Sequence, residues 1–214
     1  MDPIRAGIYS KLADHVIKQL QKRRMAGSFA PTGKDALNMV VSMIPEGSSI
    51  YRCGSMTLVE LGIIDALYAI PGVTIYDSYR EGLTREESME QRRQGLLADF
   101  MVTSSNALTV DGQLVNLDGM GNRVAGMIFG PKKVILVVGM NKIVKDVEEA
   151  KSRVKHHAAP MNSFRLNLDN PCRETLLCSD CKSPTRICNV WSIIQGHMIK
   201  DRIHVVLVGE NAGY

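Results

Sequence analysis

Four of the five cysteines lie in one short segment, at Cys172, Cys178, Cys181 and Cys188. Their spacing is C-x5-C-x2-C-x6-C, and a pair separated by two residues can bind one metal ion from a single turn of the chain. Four thiolates are the number that a tetrahedral zinc ion or an iron–sulfur cluster requires. The segment therefore predicts a zinc or iron–sulfur site. The alternative is a loop of reduced thiols, of which one or two are redox-active.

A second set of chemically useful side chains lies between two apolar runs, at residues 100–103 and 134–138, that have the composition of strands. The segment between them is rich in Asn, Asp, Ser and Gly. Open α/β sheets place their ligand sites in loops at the carboxyl ends of buried strands. We therefore expect a binding pocket here. Its candidate ligand-binding residues in this segment are Ser105, Asn106, Asp118, Gly119, Asn122 and Arg123.

A strand–turn–helix pattern predicts a second candidate segment for binding an anion. Residues 49–53 have the composition of a strand, and residues 58–69 that of a helix. The turn between them contains Gly54, Ser55 and Thr57, and free backbone N–H groups at a helix start suit a phosphate or carboxylate. A purely structural explanation is equally available, because Ser55 or Thr57 is a natural N-cap.

Two acids, Glu60 and Asp118, are candidates for general acid–base catalysis. Asp118 suits that role if the pocket desolvates its carboxyl group, although Asp118, Asn122 and Arg123 also fit a purely structural network. Glu60 is the acid nearest in sequence to the glycine turn, but packing on the surface of its helix explains it equally well. Asp111 precedes a glycine in a hairpin pattern, where Asp is favoured for backbone reasons.

The composition excludes several classes of partner. The chain has 214 residues, a formal net charge of +4 and 5% aromatic residues, so it lacks the concentrated basic and aromatic character of a nucleic-acid-binding protein. It contains no apolar run of the roughly 20 residues that span a bilayer, and its N-terminal residues lack the apolar core of a secretory signal. We therefore expect a cytoplasmic protein without membrane insertion, in which clustered thiols remain reduced or bind metal.

Strand-like and helix-like segments alternate along the chain, which predicts an α/β fold with a mostly parallel sheet and helices on both faces. Helices are expected over residues 4–20, 34–44, 58–69, 86–97, 122–129 and 143–157. Strands are expected over residues 49–53, 73–76, 99–103, 106–109, 114–117, 133–138 and 203–208. We expect one domain over residues 1–214, with an N-terminal helix within residues 1–30 and a cysteine-rich loop insertion at residues 171–190.

Five stretches of the sequence resemble the lactate-utilization (LUD) domain family. They are S-N-A-L-T-V-D-G-Q-L-V-N, D-G-M-G-N-R-V-A-G, the strand end V-V-G, G-S-M-T-L-V-E-L-G and V-L-V-G-E-N-A-G-Y. The resemblance implies a three-layer α/β/α domain like that of ribose-5-phosphate isomerase and the CoA transferases. It also implies that the glycine turn and the Asn/Asp segment form one pocket.

The resemblance brings expectations about function as well. Some family members take part in oxidising L-lactate to pyruvate alongside iron–sulfur proteins, which implies a small anionic or nucleotide-like ligand, iron–sulfur partners and a cluster rather than zinc at the cysteines. A homodimer is the expectation for this superfamily. The alternatives are a stand-alone isomerase or transferase acting on a phosphorylated or CoA-linked substrate, and a redox or metal sensor. A shared fold does not choose among them.

Overall fold

The computed structural model describes residues 2–214. Within that range the strands are β1 (Ala26–Ala30), β2 (Ser49–Arg52), β3 (Thr74–Asp77), β4 (Phe100–Thr103), β5 (Ala107–Thr109), β6 (Leu114–Asp118), β7 (Lys133–Gly139), β8 (Ile143–Val144), β9 (Val190–Ile194) and β10 (Ile203–Val208). The α-helices are α1 (Pro3–Lys22), α2 (Gly33–Ser42), α3 (Met56–Glu60), α4 (Ile63–Tyr68), α5 (Arg85–Gly95), α6 (Asn122–Ile128), α7 (Val147–Arg153), α8 (Ala159–Arg165) and α9 (Pro171–Thr175). A short 3-10 helix spans Met140–Lys142, and a π-helical turn spans Val154–Ala158.

Six parallel strands form the larger sheet, in the order β1-β10-β7-β4-β2-β3. Val134 of β7 lies opposite both Met101 of β4 and Ile203 of β10, so the nearly continuous apolar run of β7 occupies the middle of the sheet. Strands covered on both faces have such runs. The predicted α/β class with a mostly parallel sheet is therefore confirmed.

The two faces of this sheet bury different sets of side chains, because successive residues of a strand point to opposite sides. One face packs against α2 and α4 and carries Ile50, Val102, Ile135, Val137, Val206 and Val208. The other face packs against α1 and α6 and carries Tyr51, Met101, Val134, Leu136, Val138, Ile203, Val205 and Leu207. Helices thus cover both faces, as expected for a three-layer domain.

A second sheet, in the order β8-β5-β6-β9, lies beside α1 on that same face. Leu108, Leu114 and Ile194 join the core that α1 shares with the main sheet. The opposite face of the small sheet packs against α7. Its β5–β6 hairpin turns at Asp111-Gly112, as predicted, with a φ of +87° at Gly112. The small sheet carries the Asn/Asp segment, which contains most of the candidate ligand-binding residues.

The predicted N-terminal helix buries apolar side chains only in its second half. Ala13, Val16 and Leu20 are buried, whereas Ile4 and Ile8 are 74% and 58% exposed. The start of α1 therefore extends past the core that the rest of the helix covers. The expected N-terminal segment of residues 1–30 also contains β1, which pairs with β10 at the edge of the main sheet.

Two of the predicted helices are wrong in extent. The run at residues 58–69 divides into α3 and α4 at Gly62, whose φ of +67° breaks the helix. The run at residues 143–157 contains β8, then α7, and the helical path continues through the π-helical turn and α8 to Arg165. The histidines at 156 and 157 consequently lie within a helical segment and not at its end. Within residues 2–214, no helix is long and apolar enough to cross a membrane.

Candidate functional site

A cleft of about 590 Å³ opens at the carboxyl ends of the parallel strands. The segments that follow β2, β4 and β7 all contribute to its wall, which is the usual place for a ligand site in an open α/β sheet. The cysteine-rich segment and α8 form the opposite side. Eight of the nine predicted ligand-binding residues line this cleft: Gly54, Ser55, Ser105, Asn106, Asp118, Gly119, Asn122 and Arg123.

Arg123 occupies the centre of the polar wall. Its guanidinium donates hydrogen bonds to the Ser104 carbonyl at 3.0 Å, to Asn116 Oδ1 at 2.7 Å and to Asn106 Oδ1 at 2.8 Å. It also pairs with the Asp118 carboxylate at 2.6 Å, and the side chain is only 12% exposed. Arg123 thus ties the end of β4 to β6 and to α6. Arg123 therefore holds the polar wall together. The structural network that the sequence offered as an alternative is present.

Asp118 belongs to the same network. One carboxylate oxygen pairs with Arg123, and the other accepts a hydrogen bond from the Val124 backbone N–H at 3.0 Å. This N–H lies in the first turn of α6, where a carboxylate interacts favourably with the helix dipole. Both oxygens are therefore engaged, and the geometry gives Asp118 a structural role beside its place on the cleft wall.

The glycine turn after β2 is shaped by a close contact. A Cβ atom on Gly54 would overlap the Tyr79 hydroxyl, so only glycine allows Tyr79 to approach this turn. Ser55 caps α3, its Oγ accepting from the Leu58 N–H at 3.4 Å. The capping explanation for Ser55 is therefore realised in the structure.

Thr57 and Glu60 lie behind the cleft wall and support it. Thr57 is fully buried, and its hydroxyl donates to the Ala212 carbonyl at 3.2 Å. The Glu60 carboxylate accepts from the Gly213 N–H at 2.7 Å. These contacts fix the segment after β10 against α3, and Glu60 is not among the residues that line the cleft.

Lys142 is the cleft residue with the most unusual environment. It is 4% exposed, and its ammonium nitrogen lies 2.7 Å from Thr57 Oγ1 and 3.1 Å from Ser104 Oγ. Burial, together with the nearby positive charges of Arg153 and Arg123, lowers the pKa of Lys142 to about 7, against an opposing effect of Glu60. A large fraction of this side chain is therefore neutral near pH 7.

The charges around the cleft are strongly unequal. Its wall carries five basic side chains, Arg92, Arg123, Lys142, Arg165 and Arg186, and one acidic side chain, Asp118. Asp118 is paired with Arg123, and Arg186 is paired with Asp180 outside the wall. Within residues 2–214, Arg92 and Arg165 therefore line the cleft without an acidic partner. Such a wall favours anions.

The four cysteines of the C-terminal segment line one small cavity of about 20 Å³, together with Lys155 and Arg186. Burial, with neighbouring thiols, raises the pKa of Cys188 to about 11. Within residues 2–214, no three His, Cys, Asp or Glu side chains converge in a metal-binding arrangement. The segment thus brings the four thiols to one cavity, but they are not arranged as ligands around one metal ion. Arg186 and Ile187 line both this cavity and the large cleft.

The fifth cysteine, Cys53, does not line this cavity. Cys53 is 1% exposed at the end of β2, and burial raises its pKa to about 12. It stays a protonated thiol at neutral pH, in keeping with a small buried residue at a strand end. Asp111 also lies outside the cleft wall, where it pairs with Arg23 at 2.9 Å and fixes the hairpin to the end of α1.

Sequence reasoning missed the residues that carry most of the cleft's charge. Arg92, Lys142 and Arg165 lie on three different helical elements and Arg186 lies in the irregular segment before β9, so they come together only through the tertiary fold. Each resembles an ordinary surface cation in the sequence. The sequence V-V-G-M-N-K at the end of β7 was the one available signal, because it places a lysine shortly after a buried strand.

The environment of Lys142 predicts a specific dependence of stability on pH. Between pH values of about 7 and 10.5 the unfolded chain holds a proton at this residue that the folded chain does not. The free energy of unfolding should therefore rise with pH in this window, by at most about 1.4 kcal/mol per pH unit. Lys142→Met removes this contribution, so urea unfolding of the two proteins between pH 7 and 10 should show a steeper rise for the wild type.

The matched control is Lys145→Met, because the side chain of Lys145 is 83% exposed. Its stability should follow the pH dependence of the wild type. Parallel curves for the wild type and Lys142→Met would show that Lys142 keeps an ordinary pKa in the fold.

Comparison with one solved structure supports the fold, and two others are reported as similar without bearing on it. A DUF162 family protein from Deinococcus radiodurans is 14% identical, with a TM-score of 0.51 over 94% of this chain and 97% of that chain. The tetrameric eIF2B β2δ2 complex from C. thermophilum is 18% identical, with a TM-score of 0.41 over 79% of this chain and 53% of that chain. A D-ribose-5-phosphate isomerase in complex with phospho-erythronic acid is 17% identical, with a TM-score of 0.34 over 54% of each chain.

Comparison with curated proteins gives no significant match. The family comparison is more informative, because the model of the LUD domain matches residues 13–208. That range contains both sheets and nearly all of the cleft wall. The chain therefore belongs to the LUD domain family.

Proposed function

We propose that the cleft binds a small anionic metabolite or a nucleotide-like ligand. The observation that carries this proposal is that Arg92 and Arg165 line the cleft without an acidic partner within residues 2–214, while the one acidic side chain of the wall is paired with Arg123. A carboxylate or phosphate in the cleft would gain charge-assisted hydrogen bonds from these two arginines.

Two of the arginines are better placed for a ligand than the others. Arg165 is exposed and bonds only to the Asn162 side chain within the described part of the chain. Arg92 donates to Ser88 and lies over the Tyr79 ring, but its buried Nε has no partner within residues 2–214. Arg186 instead donates to carbonyls of the cysteine segment. Arg92 and Arg165 are therefore our candidates for direct contact with the anion.

We further propose that the ligand belongs to organic-acid oxidation of the lactate type, in which the chain acts as an accessory component beside iron–sulfur proteins. Membership of the LUD domain family supports this assignment. A small hydroxy or oxo acid carries the carboxylate that the cations of the cleft would bind.

Anion binding is tested by calorimetric titration of the full chain with L-lactate, pyruvate and inorganic phosphate at low salt. At least one of them should bind, and the neutral analogue lactamide should not. Arg165→Gln should weaken that binding about tenfold or more, since charged hydrogen bonds contribute roughly 1.5–3 kcal/mol. Its thermal stability should be unchanged because the side chain is exposed. The matched control is Arg85→Gln, a change on α5 outside the cleft wall, which should bind normally. Equal binding of lactate and lactamide would contradict the proposal.

A second proposal concerns the four cysteines, which we propose bind a zinc ion or an iron–sulfur cluster. The supporting observation is that Cys172, Cys178, Cys181 and Cys188, from α9 and the irregular segment after it, all line one cavity. Thiolates are the ligands that both kinds of site prefer. The basic side chains of Lys155 and Arg186 at the same cavity would offset part of their charge.

Metal analysis of protein purified without oxygen tests this second proposal. The wild type should contain close to one zinc ion or one cluster per chain, and Cys178→Ser should lose it. Cys53→Ala is the matched control because Cys53 lies in the core away from this cavity, and it should keep its metal. Metal-free wild-type protein with four freely titratable thiols would overturn the proposal and leave a loop of reduced cysteines.

A further inference from the structure

Lys142 sits where a reacting group would be expected. It is the last residue of the 3-10 helix that follows β7, and it lines the cleft beside Ser104 at the carboxyl edge of the main sheet. The side chain is nearly inaccessible to solvent, and within residues 2–214 it forms no ion pair. A buried lysine without a carboxylate partner is costly as a cation. This position therefore favours the neutral amine.

The hydrogen bonds around Lys142 match a neutral amine. The Thr57 hydroxyl donates to the Ala212 carbonyl at 3.2 Å, and the Ser104 hydroxyl donates to the Ser105 carbonyl at 3.3 Å. Both hydroxyl oxygens are thus left to accept from Lys142. An amine has two N–H groups for these two acceptors and keeps its lone pair free.

The charged groups near Lys142 act mainly in the same direction. Arg153 from α7 and Arg123 from α6 disfavour its protonation, and only Glu60 from α3 favours it. His157 of the π-helical turn also interacts with Lys142, and burial lowers the pKa of that histidine. The surroundings thus supply a lysine that is nucleophilic near neutral pH.

We propose that Lys142 forms an imine with a small carbonyl compound that carries a carboxylate or a phosphate. This inference rests on the proposed anion binding, because the arginines of the cleft would hold the charged end of the compound. Lys142 Nζ attacks the carbonyl carbon, and a C–N bond forms. The carbonyl oxygen then leaves as water with both amine protons, which gives a C=N bond without any change of oxidation state. The Ser104 and Thr57 hydroxyls lie within hydrogen-bond distance of Nζ to pass those protons.

Borohydride trapping tests the inference on the full chain. Glyoxylate is the probe, because it is a small aldehyde with a carboxylate, and sodium borohydride converts any imine into a stable amine. Peptide mapping by mass spectrometry should find the adduct at Lys142, formed at least about tenfold faster at pH 7.5 than at any exposed lysine, since those are almost fully protonated. The rate should rise between pH 6 and 8 and should fall when inorganic phosphate competes.

Two variants sharpen the test. Lys142→Arg should lose this adduct, and Lys145→Arg should retain it at the wild-type rate. The mapping of the wild type is decisive even if Lys142→Arg folds poorly. Adducts spread evenly over exposed lysines such as Lys145 and Lys151 would overturn the inference. If phosphate or pyruvate binds by calorimetry while Lys142 remains unmodified, the imine is wrong and the anion site stands. If no anion binds, the proposed function itself fails.

Discussion

The rest of the cleft depends on the buried guanidinium of Arg123. It joins the end of β4, the small sheet and the start of α6 through hydrogen bonds and an ion pair with Asp118. A buried arginine is tolerated only when its donors and its charge are satisfied, so the Asn/Asp segment must adopt the one conformation that presents these acceptors. The polar wall of the cleft follows from that requirement.

This requirement also explains why the small sheet has its place. The side chains of Asn106 and Asn116 accept from Arg123, while the Asn106 carbonyl accepts from Arg153 of α7 at 2.8 Å. Two buried or partly buried arginines thus hold the segment from opposite sides. The one acidic side chain of the wall is paired within this network, so it does not offset the arginines of the proposed anion site.

The sequence predicted those parts of the fold that local patterns determine. The Asp111-Gly112 hairpin and the apolar run of β7 were assigned correctly, because neighbouring residues suffice to specify them. The strand β9 was missed, since most of its residues are exposed at an edge and its pattern depends on pairing with β6.

The candidate site was likewise predictable only in part. The segments around Gly54 and residues 104–123 were each predicted as ligand-binding from their place after strands, and the resemblance to the LUD domain family placed them at one pocket. The roles of individual residues in the pocket were harder to predict, since the sequence could not show that Arg123 and Asp118 pair with each other. Nor could it show that Arg92 and Arg165 line the same cleft, or that Lys142 is buried. Those properties arise from contacts between elements far apart in the chain.

The most direct test of the anion cleft is to locate a bound anion by anomalous diffraction. Tungstate is a suitable probe, because it is a compact dianion with a strong anomalous signal. In soaked crystals we predict a tungsten peak inside the cleft, within hydrogen-bond distance of Arg92 or Arg165. The assignment of the cleft as the anion site would be contradicted if tungsten bound only outside the cleft and water alone lay beside Arg92 and Arg165.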